Sequence, residues 1–490
     1  MSILRKTKIV ATIGPSSSDE KTLTHMIEAG MNVARINCSH GTHDEYKANI
    51  ELIRKVAKRL KMPVAILLDL SGLKIRIGEF TDGRVTLKHG ATFVLSTVRI
   101  HGDETRVFIN YPKIVKEVKP GMHIKLDDGK VDLEVTAVGK DTVTTKVIIG
   151  GDIRSRRGVN IPDANLSIAT ITPKDLKDIT FGVEMGVDFI ALSFVRTGKD
   201  ILKLRKILMD RKCTAAIIAK IETQQAVADI DAIIEASRGI MVARGDLAVE
   251  IPKEEVPLVQ KMIIQKCNAA GKAVITATQM LDSMATHATP TRAEVNDVAN
   301  AIFDGTDAVM LSQESAIGIH PTLAIQTMSH IALVVEQSDL YQADIMRLET
   351  LPKGIVDAVS SSVARTVRNV KSKAIVALSE SGFTARIVSR HKPIAPILAL
   401  TPIEGTYRQL ALSYGCYPIL IPAPIRTMAD ALSTAKKALD RHHLNRTAGS
   451  YVLVAGIPPP PRPAPPPPPP PAPPPPPPPA PPPPPPPPPP

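Results

Sequence analysis

Residues 214–250 read TAAIIAKIETQQAVADIDAIIEASRGIMVARGDLAVE. The opening run, TAAIIAK, is apolar and β-branched and stops at Lys220, as a buried strand does. A helical segment follows. A second apolar run, GIMVA, then ends at Arg244, Gly245 and Asp246. Lys220 and Glu222 are two residues apart, so strand alternation sets them on one side of the chain. The stretch therefore brings a cation, two carboxylates and a glycine to the ends of two neighbouring strands. Glu222 and Asp246 suit a hard cation such as Mg²⁺, which takes oxygen ligands and leaves positions for substrate. A lysine beside such an ion suits phosphoryl transfer, whose chemistry needs charge neutralisation and positioning. On spacing alone, the same residues read equally well as surface ion pairs at strand ends.

Working outward, eight strand-like apolar runs alternate with helical patterns: KIVATIG, NVARIN, VAILLDL, DFIALSF, TAAIIAKI, GIMVAR, AVITATQ and AVMLSQES. Fully apolar strands separated by helices imply a parallel sheet covered on its faces. Eight such units predict an α/β fold of the (β/α)8 type, with the site at the C-terminal ends of the strands. Polar residues stand at those ends: Arg35, Asn37 and Ser39; Asp69; Ser193; Lys220 and Glu222; Arg244 and Asp246; Thr278; Glu314. Between about Ser71 and Thr170 the period shortens to alternating runs with Gly, Asp and Asn turns, which is the pattern of a small antiparallel β domain. Inserted beside the barrel mouth, it is placed to act as a lid. A further α/β pattern follows the eighth helix. The predicted organisation is a catalytic barrel from 1–70 and 171–345, an inserted β lid at 71–170, a C-terminal α/β domain at 346–457 and a tail at 458–490. In that tail everything is proline except Arg462, Ala464, Ala472 and Ala480. Polyproline II is its natural conformation, and partners that read polyproline are the ligand class it suits. A low-complexity end with no role is the competing reading.

A net charge of +12 favours anionic ligands. No basic cluster interleaved with aromatics appears, so nucleic acid is not an expected partner. No signal-like core or membrane-length run appears either. Cys38, Cys213, Cys267 and Cys416 are scattered, and the expectation is free thiols in a reducing cytoplasm.

The motifs in order are KIVATIGPSS, MNVARINCSHG, LLDLSGLKIRIG, LDDGK, GVNIP, AKIET, MVARGDL, ATQMLDSM, TPTRAEVNDVANAIFDGTDAVMLSQES and ALSESGFTAR. Together this series closely resembles the pyruvate kinase family, from about Lys6 to Pro458. The resemblance implies Mg²⁺-dependent transfer of a phosphoryl group from phosphoenolpyruvate to ADP, with Mn²⁺ as a substitute ion, in the cytoplasm and as a homotetramer. It implies that Glu222 and Asp246 hold the divalent ion. Lys220 and Arg35 then face the transferring phosphoryl group, Gly245 with its neighbouring amides and Asp246 contact the substrate, and Thr278 lies in the proton-transfer path. Asn32, His40, Arg76 and Arg157 match nucleotide-contact positions, and Asp127 falls in a lid motif. Asn37, Ser39, Asp69 and the carbonyl of Leu70 match the K⁺ ligands of K⁺-dependent members. Lys74 stands where those members carry Glu, so the resemblance is to the K⁺-independent branch, with K⁺ not required. Ser379, Ser381, Gly382 and Thr384 resemble a sugar-phosphate effector loop. The family continues past residue 457 with an effector loop and a last strand where this chain turns to proline, so weak effector binding is the expectation. Leu73 for Pro, Arg238 for Asp, Ala248 for Gly, Gln313 for Gly or Ala and Cys38 for Phe are departures that remove no proposed ligand. The alternative function is a catalytically weak relative that binds partners through its tail. Another barrel enzyme acting on phosphoenolpyruvate is a third reading, and it leaves the inserted lid unexplained.

Overall fold

The computed structural model describes residues 4–164, 166–167, 169–347, 354–444 and 449–455. Eight parallel strands close a barrel: β1 Lys8–Thr12, β2 Val33–Asn37, β3 Ala65–Asp69, β4 Phe189–Leu192, β5 Ala216–Ile221, β6 Gly239–Ala243, β7 Ala273–Ala277 and β8 Ala308–Leu311. They follow one another round the ring, with β8 returning to β1. All eight apolar runs read from the sequence are strands.

Alternation within each strand explains both the core and the site. In β5, Ile217, Ala219 and Ile221 pack outward against the helices, while Ala216 and Ile218 face the barrel interior. The next inward position is Lys220. In β3 the inward series runs Ala65, Leu67, Asp69, and in β2 it runs Val33, then Arg35. The β3 and β5 files are thus apolar for two layers and the β2 file for one, and each turns polar at the C-terminal end. Each buried Ile or Leu contributes roughly 1.5–3 kcal/mol by leaving water, and this anchors the charged layer above it.

The stretch between β3 and β4 builds a six-stranded sheet and a two-stranded one, with antiparallel pairing except between Thr92–Ser96 and Arg106–Phe108. Its own apolar cluster is drawn wholly from residues between Ile75 and Ala164. Lys125 Nζ donates to the carbonyl of Val249 at 2.8 Å, and Asn160 Nδ2 donates to Glu250 Oε1 at 2.8 Å, which docks this lid beside β6.

Beyond the barrel, β9 Ile375–Leu378, β10 Ile397–Thr401, β11 Cys416–Leu420 and β12 Val452–Ala455 form a parallel sheet ordered β11-β10-β9-β12. Ala411 and Leu412, in a turn before β11, join the apolar cluster inside the barrel. This segment of the C-terminal sheet region therefore plugs the N-terminal opening, and the C-terminal opening is left for chemistry. All four cysteines are free; three are buried and Cys213 is half-buried. No helix among the described residues is long and apolar enough to cross a membrane. The polyproline tail at 458–490 lies outside the described residues.

Candidate active site

At the C-terminal end of the barrel one hydrogen-bonded chain links four strands. Arg35 Nε donates to Asp69 Oδ2 at 2.7 Å, and its Nη1 donates to Thr12 Oγ1 at 2.9 Å. Lys220 Nζ lies 3.3 Å from Asp69 Oδ1 and 2.8 Å from Glu222 Oε1, and it donates to Ser193 Oγ at 2.7 Å. Glu222 Oε2 accepts the N–H of Phe194 at 2.7 Å. Arg35 and Lys220 are each 9% exposed, and Asp69 and Glu222 1%. Burial alone would push the Lys220 ammonium down; Asp69 and Glu222 outweigh it and hold it above the ordinary lysine value. Burial would likewise push Asp69 up, but Lys220 and Arg35 keep it below the usual carboxylate range. Glu222 goes the other way. Burial and the neighbouring charge of Asp246 raise it despite Lys220.

Asp246 lies in the first turn of the short helix Arg244–Glu250, and its side chain is about one-third exposed. It borders a cleft of about 590 Å³ between barrel and lid, lined also by Lys74, Asp128, Arg244, Gly245 and Gln279. Arg35 and Lys220 do not line this cleft. Arg244 is held by both oxygens of Asp297, at 2.6 and 2.7 Å, and donates to the carbonyl of Thr278 at 2.7 Å. Thr278 has φ +70°, a left-handed conformation that a β-branched residue adopts only under constraint. Its Oγ1 accepts the N–H of Gly245 at 2.8 Å and donates to the Ala277 carbonyl at 2.6 Å. The Gly245 amide, expected to face a substrate carboxylate, is thus occupied by Thr278.

The K⁺ set is brought together only in part. Asn37 pairs with Asp69 across β2 and β3, and its Oδ1 accepts the N–H of Ser39 at 3.1 Å. The Leu70 carbonyl accepts from Ser193 Oγ at 2.7 Å, and both Asp69 oxygens already face cations. The ammonium of Lys74 lies 3.9 Å from Asp246 Oδ1. Its ion-pair partner is therefore one of the two carboxylates expected to hold the divalent ion.

Of the nucleotide residues, His40 follows β2 on the mouth side, and its carbonyl accepts from Tyr46 Oη at 2.5 Å. Arg76 and Arg157 belong to the lid. Arg76 Nη1 donates to the Arg156 carbonyl at 2.9 Å, and Arg157 Nε lies 3.4 Å from Asp127 Oδ1. Asn32 is a correction. It precedes β2, so it stands at the opposite end of the barrel, about 16 Å of strand away from the mouth. Its Oδ1 accepts from Arg5 Nη2 at 2.7 Å and from the Ile9 N–H at 3.0 Å.

In the loop after β9, Gly382 has φ +76° and leads into the helix Phe383–Ser389. Ser379 Oγ accepts the N–H of Thr384 at 3.2 Å, and the Ser381 carbonyl accepts from Arg386 at 3.1 Å. The four effector-loop residues are together, with the Thr384 amide already bonded. Sequence reading gave no role to Thr12, Phe194 or Asp297. Phe194 hides because DFIALSF reads as one apolar run to its end.

The profile described as "Pyruvate kinase, barrel domain" matches residues 4–325, and "Pyruvate kinase, alpha/beta domain" matches residues 357–462. The chain belongs to the pyruvate kinase family. It is 47% identical over 459 residues to the pyruvate kinase of Geobacillus stearothermophilus, covering 93% of this chain and 78% of that one. The pyruvate kinase of Staphylococcus aureus (strain MRSA252) is 44% identical over the same shares. A crystal structure of a pyruvate kinase from Cryptosporidium parvum superposes with a TM-score of 0.88 at 36% identity, covering 92% of this chain and 94% of that one. Pyruvate kinases are phosphotransferases that generally need Mg²⁺ and K⁺, bind phosphoenolpyruvate and ADP, and are generally oligomeric.

Proposed function

We propose that this chain transfers the phosphoryl group of phosphoenolpyruvate to ADP at the mouth of the barrel, with Arg35, Lys220, Glu222 and Asp246 as the working set. The observation that carries this is the buried Arg35–Asp69–Lys220–Glu222 chain ending beside Asp246 under an open cleft. Glu222 and Asp246 fit a divalent ion. The charge of Asp246 reaches Glu222, and the Lys74 ammonium meets Asp246 only at 3.9 Å, which leaves its carboxylate open toward the cleft. Each Glu222 oxygen makes one hydrogen bond in the site and retains a further lone pair. When bound there, Mg²⁺ neutralises phosphoryl and enolate oxygens and orients them. Lys220, kept charged by its two carboxylates, offsets charge on the phosphoryl oxygens as the bond to the enol oxygen breaks and the bond to the ADP oxygen forms. Arg35, locked on Asp69 and Thr12, presents the guanidinium edge that remains to the same phosphate. Thr278, whose hydroxyl both donates and accepts, serves proton delivery to the enolate carbon that becomes the methyl of pyruvate. The lid residues Arg76 and Arg157, with His40, serve the nucleotide.

Activity without K⁺ is the finer part of this reading. Lys74 supplies a fixed ammonium beside Asp246, and the Asp69 carboxylate is already balanced by Arg35 and Lys220. A coupled lactate dehydrogenase assay tests both parts. Turnover should require Mg²⁺ or Mn²⁺ and change by less than about two-fold when K⁺ replaces Na⁺. A many-fold rise with K⁺ would sink the K⁺-independent reading. Wild-type turnover in Glu222→Gln would remove the metal assignment. Nothing among the described residues favours a catalytically weak binding protein.

A further inference from the structure

We propose that Phe194 is a positioning residue that couples the lid hinge at Gly72 to the carboxylate of Glu222; this rests on Glu222 being a divalent-ion ligand, as read above. Phe194 lies two residues past the end of β4 and sits at φ +51°, a conformation that a bulky side chain holds only when its surroundings over-determine it. Two contacts do so, and they point in different directions. Its N–H donates to Glu222 Oε2 at 2.7 Å, so that with Lys220 on Oε1 both oxygens of the carboxylate are pinned. Its ring lies against Gly72, where a Cβ would fall 2.9 Å from ring Cδ2 and 3.3 Å from Cβ of Ser193.

Gly72 belongs to the chain leaving β3 for the lid, and it has φ +61°. Its N–H donates to Asp175 Oδ1 at 3.1 Å. Asp175 Oδ2 accepts the N–H and hydroxyl of Thr172, at 2.8 and 2.7 Å, on the chain returning from the lid. One carboxylate thus ties both hinge strands together, and the outgoing strand rests on the Phe194 ring. Leu73, Ile75 and Phe194 share a cavity of about 90 Å³ with Val159 and Ile161 of the lid, which leaves the ring room to follow a shift of the hinge. A displacement of Gly72 therefore reaches the Phe194 backbone, and through its N–H the orientation of Glu222. Divalent-ion affinity and lid position become linked quantities, each changing the other by the same factor.

The experiment is Mn²⁺ titration of the full chain by electron paramagnetic resonance, without substrates, on Gly72→Ala, Phe194→Leu, the double variant and Glu222→Gln. Gly72→Ala should weaken Mn²⁺ about ten-fold, because the added Cβ pushes the ring. Phe194→Leu should stay within about three-fold of wild type, and the double variant should return to the level of Phe194→Leu. A merely structural role for Gly72 predicts that the double variant stays as weak as Gly72→Ala; that result, or wild-type affinity in Gly72→Ala, overturns the proposal. Mn²⁺ binding unchanged in Glu222→Gln would overturn the metal reading itself, and this inference with it. Should Gly72→Ala not fold, Asp175→Asn loosens the hinge without adding an atom and is expected to weaken Mn²⁺ in the same sense; unchanged affinity there is equally fatal.

Discussion

At the C-terminal end of the barrel, Arg35, Asp69, Lys220 and Glu222 form one chain of ion pairs beside an open cleft. At the N-terminal end, Lys8, Lys392 and Asp307 are between 2% and 5% exposed and are covered by the C-terminal sheet and its connections. Lys392 Nζ meets Asp307 Oδ1 at 2.7 Å and lies 4.5 Å from the centre of the Tyr414 ring. Lys8 Nζ donates to the Cys416 carbonyl at 2.5 Å over the Tyr417 ring. Left-handed non-glycine residues occur at both ends too, Thr278 at the mouth and Lys392 at the floor. Buried charge and backbone strain therefore do not by themselves mark a site. What separates the two ends is balance and access. Lys392 ends on Asp307 inside a covered interface, whereas Asp246, about one-third exposed and met by Lys74 only at 3.9 Å, opens onto a space large enough for a substrate.

The comparison breaks if the mouth lysine proves to be only structural. Lys220→Met should lower kcat on the order of 10³-fold, as loss of a preorganised charge at a reacting phosphoryl group does. Coupled turnover measurement at saturating phosphoenolpyruvate and ADP checks this, and a loss under ten-fold would put Lys220 in the same class as the floor cations. The converse is Lys392→Met. It strands Asp307 in a dry interface and should cost about 3–5 kcal/mol of stability while leaving kcat within about two-fold. Chemical denaturation read beside turnover separates the two effects. A kcat loss rivalling that of Lys220→Met would mean that the floor takes part in catalysis.

Much of this contrast was legible in the chain. Alternation in TAAIIAKIE put Lys220 and Glu222 on one face, and the inward files Ala65-Leu67-Asp69 and Ala216-Ile218-Lys220 show why that reading held. Asn32 shows where it stopped. MNVARIN contains two asparagines five residues apart, one at each end of β2, and only the strand's limits decide which reaches the mouth. Thr278 and Gly245 show a second limit. Their mutual bond goes with φ +70° at Thr278, whose carbonyl accepts from Arg244, itself clamped by Asp297. No local pattern announces a conformation imposed from two other segments. Phe194 is hidden for the same reason, since its turn is dictated by Glu222 and Gly72 rather than by its neighbours in sequence.

The smallest effect sharpens the account of the floor. Lys8 has no carboxylate in direct contact, and burial, aided by the charge of Arg5, brings its ammonium down to about 8 against weaker upward pulls from Cys416 and Glu336. In the unfolded chain it titrates near 10.5. Between those two values the unfolded state holds a proton that the folded state has released, so the Lys8 contribution makes stability rise with pH across this window. Below about pH 8 the fold carries the whole cost of a buried ammonium, roughly 3 kcal/mol for a shift of this size. Lys8→Met removes that cost and also leaves the Cys416 carbonyl without its donor, a pH-independent loss of about 1–3 kcal/mol. Lys6, Cys416, Tyr341, Tyr414 and Tyr417 face the same interface and titrate in both proteins, so their contributions largely cancel in the difference. The stability of Lys8→Met relative to wild type, from denaturant midpoints at steps between pH 7 and 10.5, should therefore fall steadily as pH rises. A difference that stays flat across the window would show that Lys8 keeps its proton in the fold, and that the Tyr417 ring and the Cys416 carbonyl complete the ammonium as fully as Asp307 completes Lys392.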